Sequence, residues 1–419
     1  HAWQTLLERL GTRPLGALLE PAVRAARDGF ALTPVIARDW AAQQAQLEGG
    51  VNTHVYLPGG RAPRAGETFR QPELAHSVAR SAAAGAGAFY DGPLAGAIVA
   101  QSARLGGWLT REDLAAHASD WDAPIAATYR GRRVVQLPPN GQGIVTLQAL
   151  QLLEGFDQAS ASPAQRAHRQ VEALKLAFAD AFRFVADPRA VAVPTEALLS
   201  GTYADQRRAL IGERALRDPV HGLPEGGTVY VAAVDAAGNV CSLINSLYMH
   251  FGAKVVVEGT GIALQNRAAL CSLDPDHPNA LAVGKRPYHT IIPAMAFKQE
   301  KPWLCFGVVG GFMQPQAHVQ LLGHLLDGGR SLEEAVNAPR FRWLDGDRIA
   351  LEDGTDPEVR ADLARRGHDV VERQGFGGFG GAQAIEIEDD GTLRGASDPR
   401  KDGEVKGGRP ETGGGRPEW

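Results

Sequence analysis

The sequence predicts an α+β protein in which packed sheets are covered by helices. Short runs of β-branched and aromatic residues, typical of strands, cluster after residue 228. Longer segments with helical spacing of apolar residues lie before and after that cluster, and elements of these two kinds pack together as layers. The predicted strands are 228–234, 240–247, 253–257, 291–298 and 303–309.

Helices dominate the part of the chain before residue 228. In the clearest one, apolar side chains recur every three or four residues and predict a stripe that faces the core: Val171, Leu174, Phe178, Phe182 and Val185. Thr110, followed three residues later by Asp113, predicts the capped start of another helix. Further helices are predicted over 15–27, 71–84 and 144–153, with one strand over 132–137.

The chain after the strand cluster returns to helices. We expect helices over 314–326 and 356–366, with a capping box that starts at Ser331 between them. A last strand is predicted over 384–388. The tail over 407–419 repeats Gly-Gly-Arg-Pro-Glu and is predicted to be disordered, because it has too few apolar residues to form a core.

The composition is that of an ordinary globular enzyme and argues against several classes of partner. Hydrophobic residues make up 44% and charged residues 22% of the 419 residues, and the net charge is −5. That charge provides no basic surface for nucleic acid or an anionic membrane. No apolar run approaches the roughly 20 residues of a membrane helix. We therefore expect neither nucleic acid nor membrane as a partner.

The metal-binding residue types show no site pattern. Cys241, Cys271 and Cys305 are widely spaced and lack a CxxC pair, so we expect buried, reduced thiols and no disulfide framework. The twelve histidines include no HExxH motif. The segment 274–278 carries acids and a histidine, but its two prolines favour a rigid turn. No metal and no organic cofactor is expected.

The most informative stretch begins at residue 226 and reads GGTVYVAAVDAAGNVCSLINS. A Gly-Gly step runs directly into a strand whose first residue, Thr228, carries a hydroxyl. This stretch resembles the processing site of the γ-glutamyltransferase family, in its divergent γ-glutamyltransferase-like branch related to cephalosporin acylases. The precursors of that family cut themselves just before such a threonine. The resemblance implies that Thr228 becomes the first residue of a new chain.

A free N-terminal threonine has the chemistry that this position requires. Its hydroxyl is a poor nucleophile unless a base lies beside it, and the α-amine of the same residue can be that base. An α-amine has an unperturbed pKa of about 8, so much of it is neutral near physiological pH. Cleavage of the Gly227–Thr228 bond would therefore deliver nucleophile and base together, without a histidine.

The resemblance refines the fold and the organisation of the chain. It implies the four-layer αββα sandwich of N-terminal-nucleophile hydrolases. It also implies a large-subunit region over 1–227, a small catalytic region over 228–406 and a tail over 407–419, with the two regions forming a heterodimer after self-cleavage. His1 starts within a predicted helix and has no initiator methionine, so the first part of the usual precursor is expected to be missing. The compartment is left open, with the cytoplasm slightly favoured over the periplasm.

Three further positions match the family's catalytic machinery. Ser246 lies one strand after Thr228, where the family places a threonine whose hydroxyl supports the nucleophile. A tight turn between the two strands would bring both hydroxyls together across a hairpin. Gly310 and Gly311 follow the strand 303–309 and match the family's oxyanion glycines. Their backbone N–H groups can stabilise the transition state, each by about 3 kcal/mol.

The donor-binding positions depart from the family's pattern. Asn266 matches a binding asparagine, but Arg267 replaces a neutral amide, and Leu270 stands where an aspartate normally holds the donor's α-ammonium group. His289 and Thr290 stand in place of a serine pair that holds the donor's carboxylate. A cation and a leucine favour an acidic or neutral acyl group over a zwitterionic one.

The resemblance implies a self-processing amidohydrolase/acyltransferase that acts on γ-glutamyl or related acyl amides such as glutathione. Water or an amine would accept the acyl group. A glutaryl or cephalosporin-type acylase is the alternative within enzymes. An unprocessed, inactive homologue that only binds a ligand is the alternative from another class. The intact Gly-Gly-Thr step and the pair Gly310–Gly311 argue against an inactive homologue.

Overall fold

A computed structural model describes residues 1–217, 227–373 and 378–408. The chain divides into two compact units. The first comprises His1–Trp121 and His250–Asn266, and the second comprises Asp122–Met249 and Arg267–Trp419. These units are defined by packing, so they do not test the proposed cleavage point between residues 227 and 228. Each unit has its own hydrophobic core.

The first unit is mainly helical. Its helices α1–α8 span Ala2–Leu10, Leu15–Asp28, Pro34–Ala41, Gln44–Glu48, Pro72–Ala84, Ala86–Tyr90, Pro93–Arg104 and Arg111–Ala115. Two short antiparallel strand pairs accompany them, β1 Phe30–Ala31 with β2 Thr68–Phe69, and β7 Val256–Val257 with β8 Ile262–Ala263. Helix α2 packs along α5, and the predicted capping box of Thr110 and Asp113 is present at the start of α8.

An aromatic cluster forms the core of the first unit. The Trp40 side chain is 8% exposed, and its ring centroid lies 4.7 Å from that of Phe69 and 5.2 Å from that of Phe251. The Trp40 Nε1–H donates to the carbonyl of Tyr56, so its one polar group is satisfied. Leu47 is fully buried in the same cluster.

The second unit is built on a six-stranded antiparallel sheet in the order β15-β14-β10-β9-β4-β3. These strands span Leu393–Ser397, Gly381–Ile387, Lys301–Val309, Ala294–Lys298, Arg132–Gln136 and Ile125–Tyr129. A separate hairpin joins β5 Gly227–Val234 to β6 Val240–Tyr248, and a third sheet holds β11 Phe341–Asp345, β12 Arg348–Glu352 and β13 Asp369–Arg373.

The helices of this unit are α9 Gly143–Glu154, α10 Pro163–Phe184, α11 Thr195–Leu198, α12 Gly201–Arg208, α13 Met313–Leu326, α14 Leu332–Asn337 and α15 Pro357–Arg365. Helices α9, α13 and α14 cover the six-stranded sheet, and the other helices of this unit pack beside them. Helix α9 packs on β3 and β4, and α13 packs on β10. In α10, the predicted stripe is core, with Val171, Leu174 and Phe178 fully buried.

The β5–β6 hairpin packs face to face on the six-stranded sheet, against β10 and β14. Tyr230 fixes this contact, because its ring lies directly over Gly307, where a Cβ would come within 2.3 Å of ring carbons. The Tyr230 hydroxyl lies 2.8 Å from Ser242 Oγ and 3.5 Å from Cys305 Sγ. The second unit therefore contains a helical layer, a sheet and a second, smaller sheet in succession, as predicted.

Most predicted elements are present, with some bounds wrong. The predicted strand 291–298 begins only at Ala294, because Pro293 has no N–H for a ladder. The predicted strand 253–257 is reduced to Val256–Val257, since Lys254 has a φ of 56°. Strands β3, β11, β12, β13 and β15 were not predicted at all.

Other sequence predictions have mixed outcomes. Cys305 is buried and Cys271 partly so, but Cys241 lies on the exposed face of β6, which corrects the expectation of three buried thiols. The capping box at Ser331 is present. Residues 218–226, just before the expected cleavage point, residues 374–377, and the predicted disordered tail from residue 409 onward lie outside the described residues. Within the described ranges, no helix is both long and apolar enough to span a membrane.

Candidate active site

The β5–β6 hairpin brings Thr228 and Ser246 onto one face. Asp235 forms the turn by accepting hydrogen bonds from the backbone N–H groups of Ala237 and Asn239, each at 2.9 Å. From this turn the two strands run back in register, with Tyr230 opposite Ile244. Successive side chains alternate between faces, so Thr228 lies on the inward face with Tyr230, and Ser246 lies there with Ile244.

The two hydroxyls meet as predicted. The Thr228 hydroxyl donates to Ser246 Oγ at 3.2 Å, and the backbone N–H of Tyr248 donates to the same oxygen at 2.9 Å. Thr228 is half-buried. Ser246 therefore accepts from both neighbours, and this arrangement fixes the direction of the Thr228 hydroxyl relative to the hairpin.

The hairpin is irregular at this point. Gly227 pairs with Tyr248 and Val229 pairs with Asn245, so the register shifts across Thr228. Two residues of β6 therefore oppose one residue of β5, which is a β-bulge. Bulges are enriched next to active sites because they redirect a side chain. The bond proposed for self-cleavage, Gly227–Thr228, lies within this irregularity.

Gly310 and Gly311 lie at the junction between β10 and helix α13. Their φ angles are 127° and 60°, values that favour glycine. Their carbonyl oxygens accept hydrogen bonds from the first turn of α13. The Met313 N–H donates to the Gly310 carbonyl at 3.0 Å, and the Gln314 N–H donates to the Gly311 carbonyl at 3.2 Å. The backbone therefore turns sharply here. The use of the two N–H groups as an oxyanion hole stays a prediction.

Gln142, which no sequence pattern predicted, links this glycine turn to the predicted donor site. Its Nε2 donates to the carbonyl of Thr290 at 2.6 Å and to the carbonyl of Gly311 at 3.0 Å. The side chain is fully buried at the N-terminus of α9. The turn Pro138–Gly143 was the only sequence signal nearby, and it carries no information about partners so distant in the chain.

Arg267 and Thr290 are brought together in the second unit. The Arg267 guanidinium donates to Thr290 Oγ1 at 3.1 Å and to the carbonyl of Ser246 at 3.4 Å. Arg267 is 6% exposed, and burial lowers its pKa to about 10, which leaves it charged near neutral pH. A buried cation thus lies beside the residue that supports Thr228.

His289 is neutral near physiological pH. Burial, followed by the charges of Arg267 and Arg286, lowers its pKa to about 3. Its backbone pairs with the segment before α9, with its N–H donating to Asn140 and its carbonyl accepting from Gln142, both at 2.9 Å. His289 therefore adds a polar, uncharged ring near two arginines, and its role in binding stays a prediction.

Asn266 and Leu270 flank Arg267 in the chain. Asn266 is the last residue of the first unit and is half-buried, so its role as a binding residue stays a prediction. Leu270 ends a short 3-10 helix over Arg267–Leu270 and packs against the main hydrophobic core. A leucine there offers no charge to an ammonium group.

Tyr248 is a second residue of this region that was not predicted from the sequence. It ends β6, is 1% exposed and has a φ of 79°, which is rare for a bulky side chain. Its ring centroid lies 5.7 Å from Arg267 Cζ. From sequence alone, an aromatic residue at a strand end cannot be distinguished from an ordinary core residue, so no pattern could have identified Tyr248.

One buried cluster elsewhere in the second unit has metal-ligand residue types, namely His168, Glu172 and His368. Other groups already contact most of the ligand atoms, but His368 Nδ1 has no hydrogen-bond partner among the described residues. His168 Nε2 lies 2.9 Å from the carbonyl of Gly212, which can only accept, so His168 Nδ1 is left to accept from His368 Nε2 at 2.9 Å. Lys175 Nζ lies 2.8 Å from Glu172 Oε1 and supplies the positive charge. These residues form a buried polar cluster.

Comparison with known proteins identifies the family. The family model described as Gamma-glutamyltranspeptidase matches residues 1–408. The chain belongs to this family. It is 37% identical to the glutathione hydrolase-like YwrD proenzyme of Bacillus subtilis (97% of this chain, 79% of that protein). It is 36% identical to the oxamate amidohydrolase proenzyme of Klebsiella pneumoniae (94% and 76%), and 36% identical to an acylase ACY 1 proenzyme of a Pseudomonas species (96% and 73%).

A solved structure in the same family confirms the fold class. The crystal structure of cephalosporin acylase from Bacillus halodurans superposes with a TM-score of 0.93 at 41% identity, covering 98% of this chain and 77% of that chain. The protein therefore has the fold of the N-terminal-nucleophile hydrolases of this family. It is an enzyme of the amidohydrolase/acyltransferase type, and proenzymes of the family are processed into two subunits.

Proposed function

We propose that this protein cleaves itself between Gly227 and Thr228 and then uses Thr228 as the nucleophile of an amidohydrolase or acyltransferase. The proposal rests on one observation: the Thr228 hydroxyl donates a hydrogen bond to Ser246 Oγ at 3.2 Å, within a bulge of the hairpin. The proposed products are a large chain over 1–227 and a small chain that begins at Thr228, which stay together as a heterodimer.

Self-cleavage would proceed through an ester. The Thr228 Oγ attacks the carbonyl carbon of Gly227, the C–N bond between the two residues breaks, and the nitrogen takes a proton to become a free amine. Water then hydrolyses the ester, which releases Gly227 as a carboxylate and regenerates the Thr228 hydroxyl. One water is consumed, and the new α-amine lies on the same residue as the nucleophile.

Turnover would repeat the same chemistry on a substrate amide. The α-amine of Thr228 takes the hydroxyl proton, Oγ attacks the amide carbonyl, and the leaving amine receives that proton. The N–H groups of Gly310 and Gly311 would stabilise the oxyanion, since their φ angles of 127° and 60° fit a turn that only glycine adopts easily. Water or an amine then resolves the acyl-enzyme.

The donor is proposed to be an acyl amide with a distal carboxylate. Arg267 is a buried cation that bonds to Thr290 and to the Ser246 carbonyl, and it favours an anion nearby. Leu270 provides no counter-charge for an α-ammonium group. These two residues favour glutaryl and related amides over γ-glutamyl amides such as glutathione, so within this reaction class a glutaryl or cephalosporin-type acylase is the favoured form.

An inactive, unprocessed homologue is the competing hypothesis, and intact mass separates it from the proposal. Purified wild-type protein should give two chains, one with Thr228 at its N-terminus by sequencing. Thr228→Ala should remain one chain, and Thr228→Ser, which keeps a hydroxyl, should still be cut. Equal cleavage of Thr228→Ala would overturn the proposal, as would amidase activity in a wild-type protein that stays uncut.

A further inference from the structure

Tyr248 has two irregularities that ordinary packing does not require. Its side chain is 1% exposed, yet within the described part of the chain its hydroxyl has no hydrogen-bond partner. Its φ of 79° is left-handed, although β6 on either side of Ser246 is extended. Buried polar groups are nearly always paired, and left-handed bulky residues are rare. When both occur at one residue, they point to a site for a missing ligand.

The position of Tyr248 identifies which ligand this is, provided that the proposed function holds. Gly227 is paired with Tyr248 across the hairpin, and the Tyr248 N–H bonds to Ser246 Oγ. During self-cleavage the acyl group carried by Thr228 is Gly227 itself. During turnover the acyl group of the substrate takes that place on the same residue. Tyr248 therefore borders the space that the substrate's acyl chain enters.

The chemistry around the ring favours an anion. Burial raises the pKa of the Tyr248 hydroxyl to about 12, an effect that Arg267 opposes, so the phenol stays protonated and can donate. Arg267 Cζ lies 5.7 Å from the ring centroid. Arg267 also remains charged near neutral pH. A neutral O–H donor beside a buried guanidinium is a pairing that recognises a carboxylate.

We infer that Tyr248 is a specificity-determining residue, whose hydroxyl donates to the distal carboxylate of the acyl group beside Arg267. An acyl chain of equal length without that carboxylate would leave the phenol unpaired and gain nothing from it. The inference deepens the proposed function, because it assigns the subsite that selects the anionic donor. The reacting carbonyl itself is left to Gly310 and Gly311.

The test is Tyr248→Phe, which removes one oxygen and keeps the ring. Processed wild type and variant are compared on the glutaryl and pentanoyl p-nitroanilides, which share a five-carbon acyl chain and differ in the distal carboxylate. We expect kcat/KM to fall by about ten- to thirtyfold for the glutaryl compound and to change less than about twofold for the pentanoyl compound. Tyr203→Phe, on helix α12, is the matched control and should leave kcat/KM unchanged for both compounds.

Thermal stability distinguishes a binding role from a structural one. Because the hydroxyl has no partner in the described structure, Tyr248→Phe should not lower Tm, whereas a structural phenol would. If the variant is processed slowly, its cleaved fraction is isolated before assay. Glutarate should also inhibit the wild type at least tenfold more strongly than pentanoate.

Three results would overturn the inference. Equal loss on both anilides would place the phenol at the reacting carbonyl, and no loss on either would leave it without a role in specificity. Equal inhibition by glutarate and pentanoate would remove the carboxylate subsite itself. Failure of the proposed function would look different, because wild-type protein would then remain a single chain or have no Thr228-dependent activity.

Discussion

The Thr228 hydroxyl donates to Ser246 Oγ at 3.2 Å, across a hairpin whose register shifts at Thr228, between Gly227 and Val229. Because Ser246 also accepts the Tyr248 N–H, its oxygen has a fixed position from which it orients the Thr228 side chain.

Ser246→Ala should slow turnover of processed enzyme by roughly ten- to a hundredfold, the scale expected when one supporting hydrogen bond is lost. It should also lower stability slightly, by about 1 kcal/mol, because the Tyr248 N–H loses its acceptor. Steady-state kinetics and thermal melts measure the two effects. Ser246→Thr keeps the hydroxyl and should restore most activity. Unchanged turnover in Ser246→Ala would assign Ser246 a purely structural role.

Leu270→Asp should move substrate preference toward γ-glutamyl amides. An aspartate can pair with the α-ammonium group that Leu270 leaves unpaired, and it weakens the positive field of Arg267. The measurement is the ratio of kcat/KM for γ-glutamyl and glutaryl versions of one chromogenic amide. Leu270→Asn has the same shape without the charge and controls for lost packing against the core. A wild-type enzyme that already prefers the γ-glutamyl compound by about tenfold would contradict this account of the pocket.

Gly307→Ala should displace the hairpin and impair self-cleavage. The added Cβ would lie 2.3 Å from ring carbons of Tyr230, which holds the hairpin against β10. Overpacking of this kind typically costs about 1–3 kcal/mol. Gly201→Ala, at a helical position with open space around the Cβ, is the matched control and should be neutral. Both variants are compared by Tm and by the cleaved fraction over time. Normal processing in Gly307→Ala would show that this contact does not position Thr228.

Stability should fall as the solution is acidified below about pH 6.5, partly because of His318. This side chain is fully buried, and burial, aided by Arg340, lowers its pKa to about 3. Between these two pH values the unfolded chain binds a proton that the folded chain excludes, so the free energy of unfolding decreases as pH falls, by up to about 1.4 kcal/mol per pH unit.

His318→Gln tests the contribution of His318 to this pH dependence. It is made in the uncut Thr228→Ala background, where unfolding involves one chain. Glutamine can keep a polar contact with Gln136, whose Nε2 lies 3.2 Å from His318 Nδ1. Urea midpoints measured between pH 4 and 6.5 should depend less steeply on pH in the double variant. An identical slope in both proteins would rule out His318 as a source of the acid sensitivity.

How much of the site could be predicted depended on the distance between partners in the chain. Thr228 and Ser246 are 18 residues apart on one hairpin, and the alternation of its residues is enough to place both hydroxyls on one face. Helices with a clear apolar period, such as the one containing Val171 and Phe178, were also predicted correctly.

Contacts between distant segments could not be predicted in this way. Gln142 reaches Gly311 over 169 residues, and β12 pairs in parallel with β13 after an intervening helix. Tyr248 lies in an ordinary strand pattern, and only the folded chain reveals its left-handed φ and its unpaired hydroxyl. These features arise from tertiary packing, which local periodicity does not encode.

The most direct test of the account is to trap the acyl-enzyme. Processed protein is mixed with excess glutaryl p-nitroanilide, quenched in acid within the first turnovers, digested and analysed by mass spectrometry. We expect a glutaryl ester on the peptide that begins with Thr228, labile to hydroxylamine and absent from Thr228→Ala. An adduct on any other residue, or full activity with no adduct at Thr228 under conditions that release anilide in a burst, would contradict it.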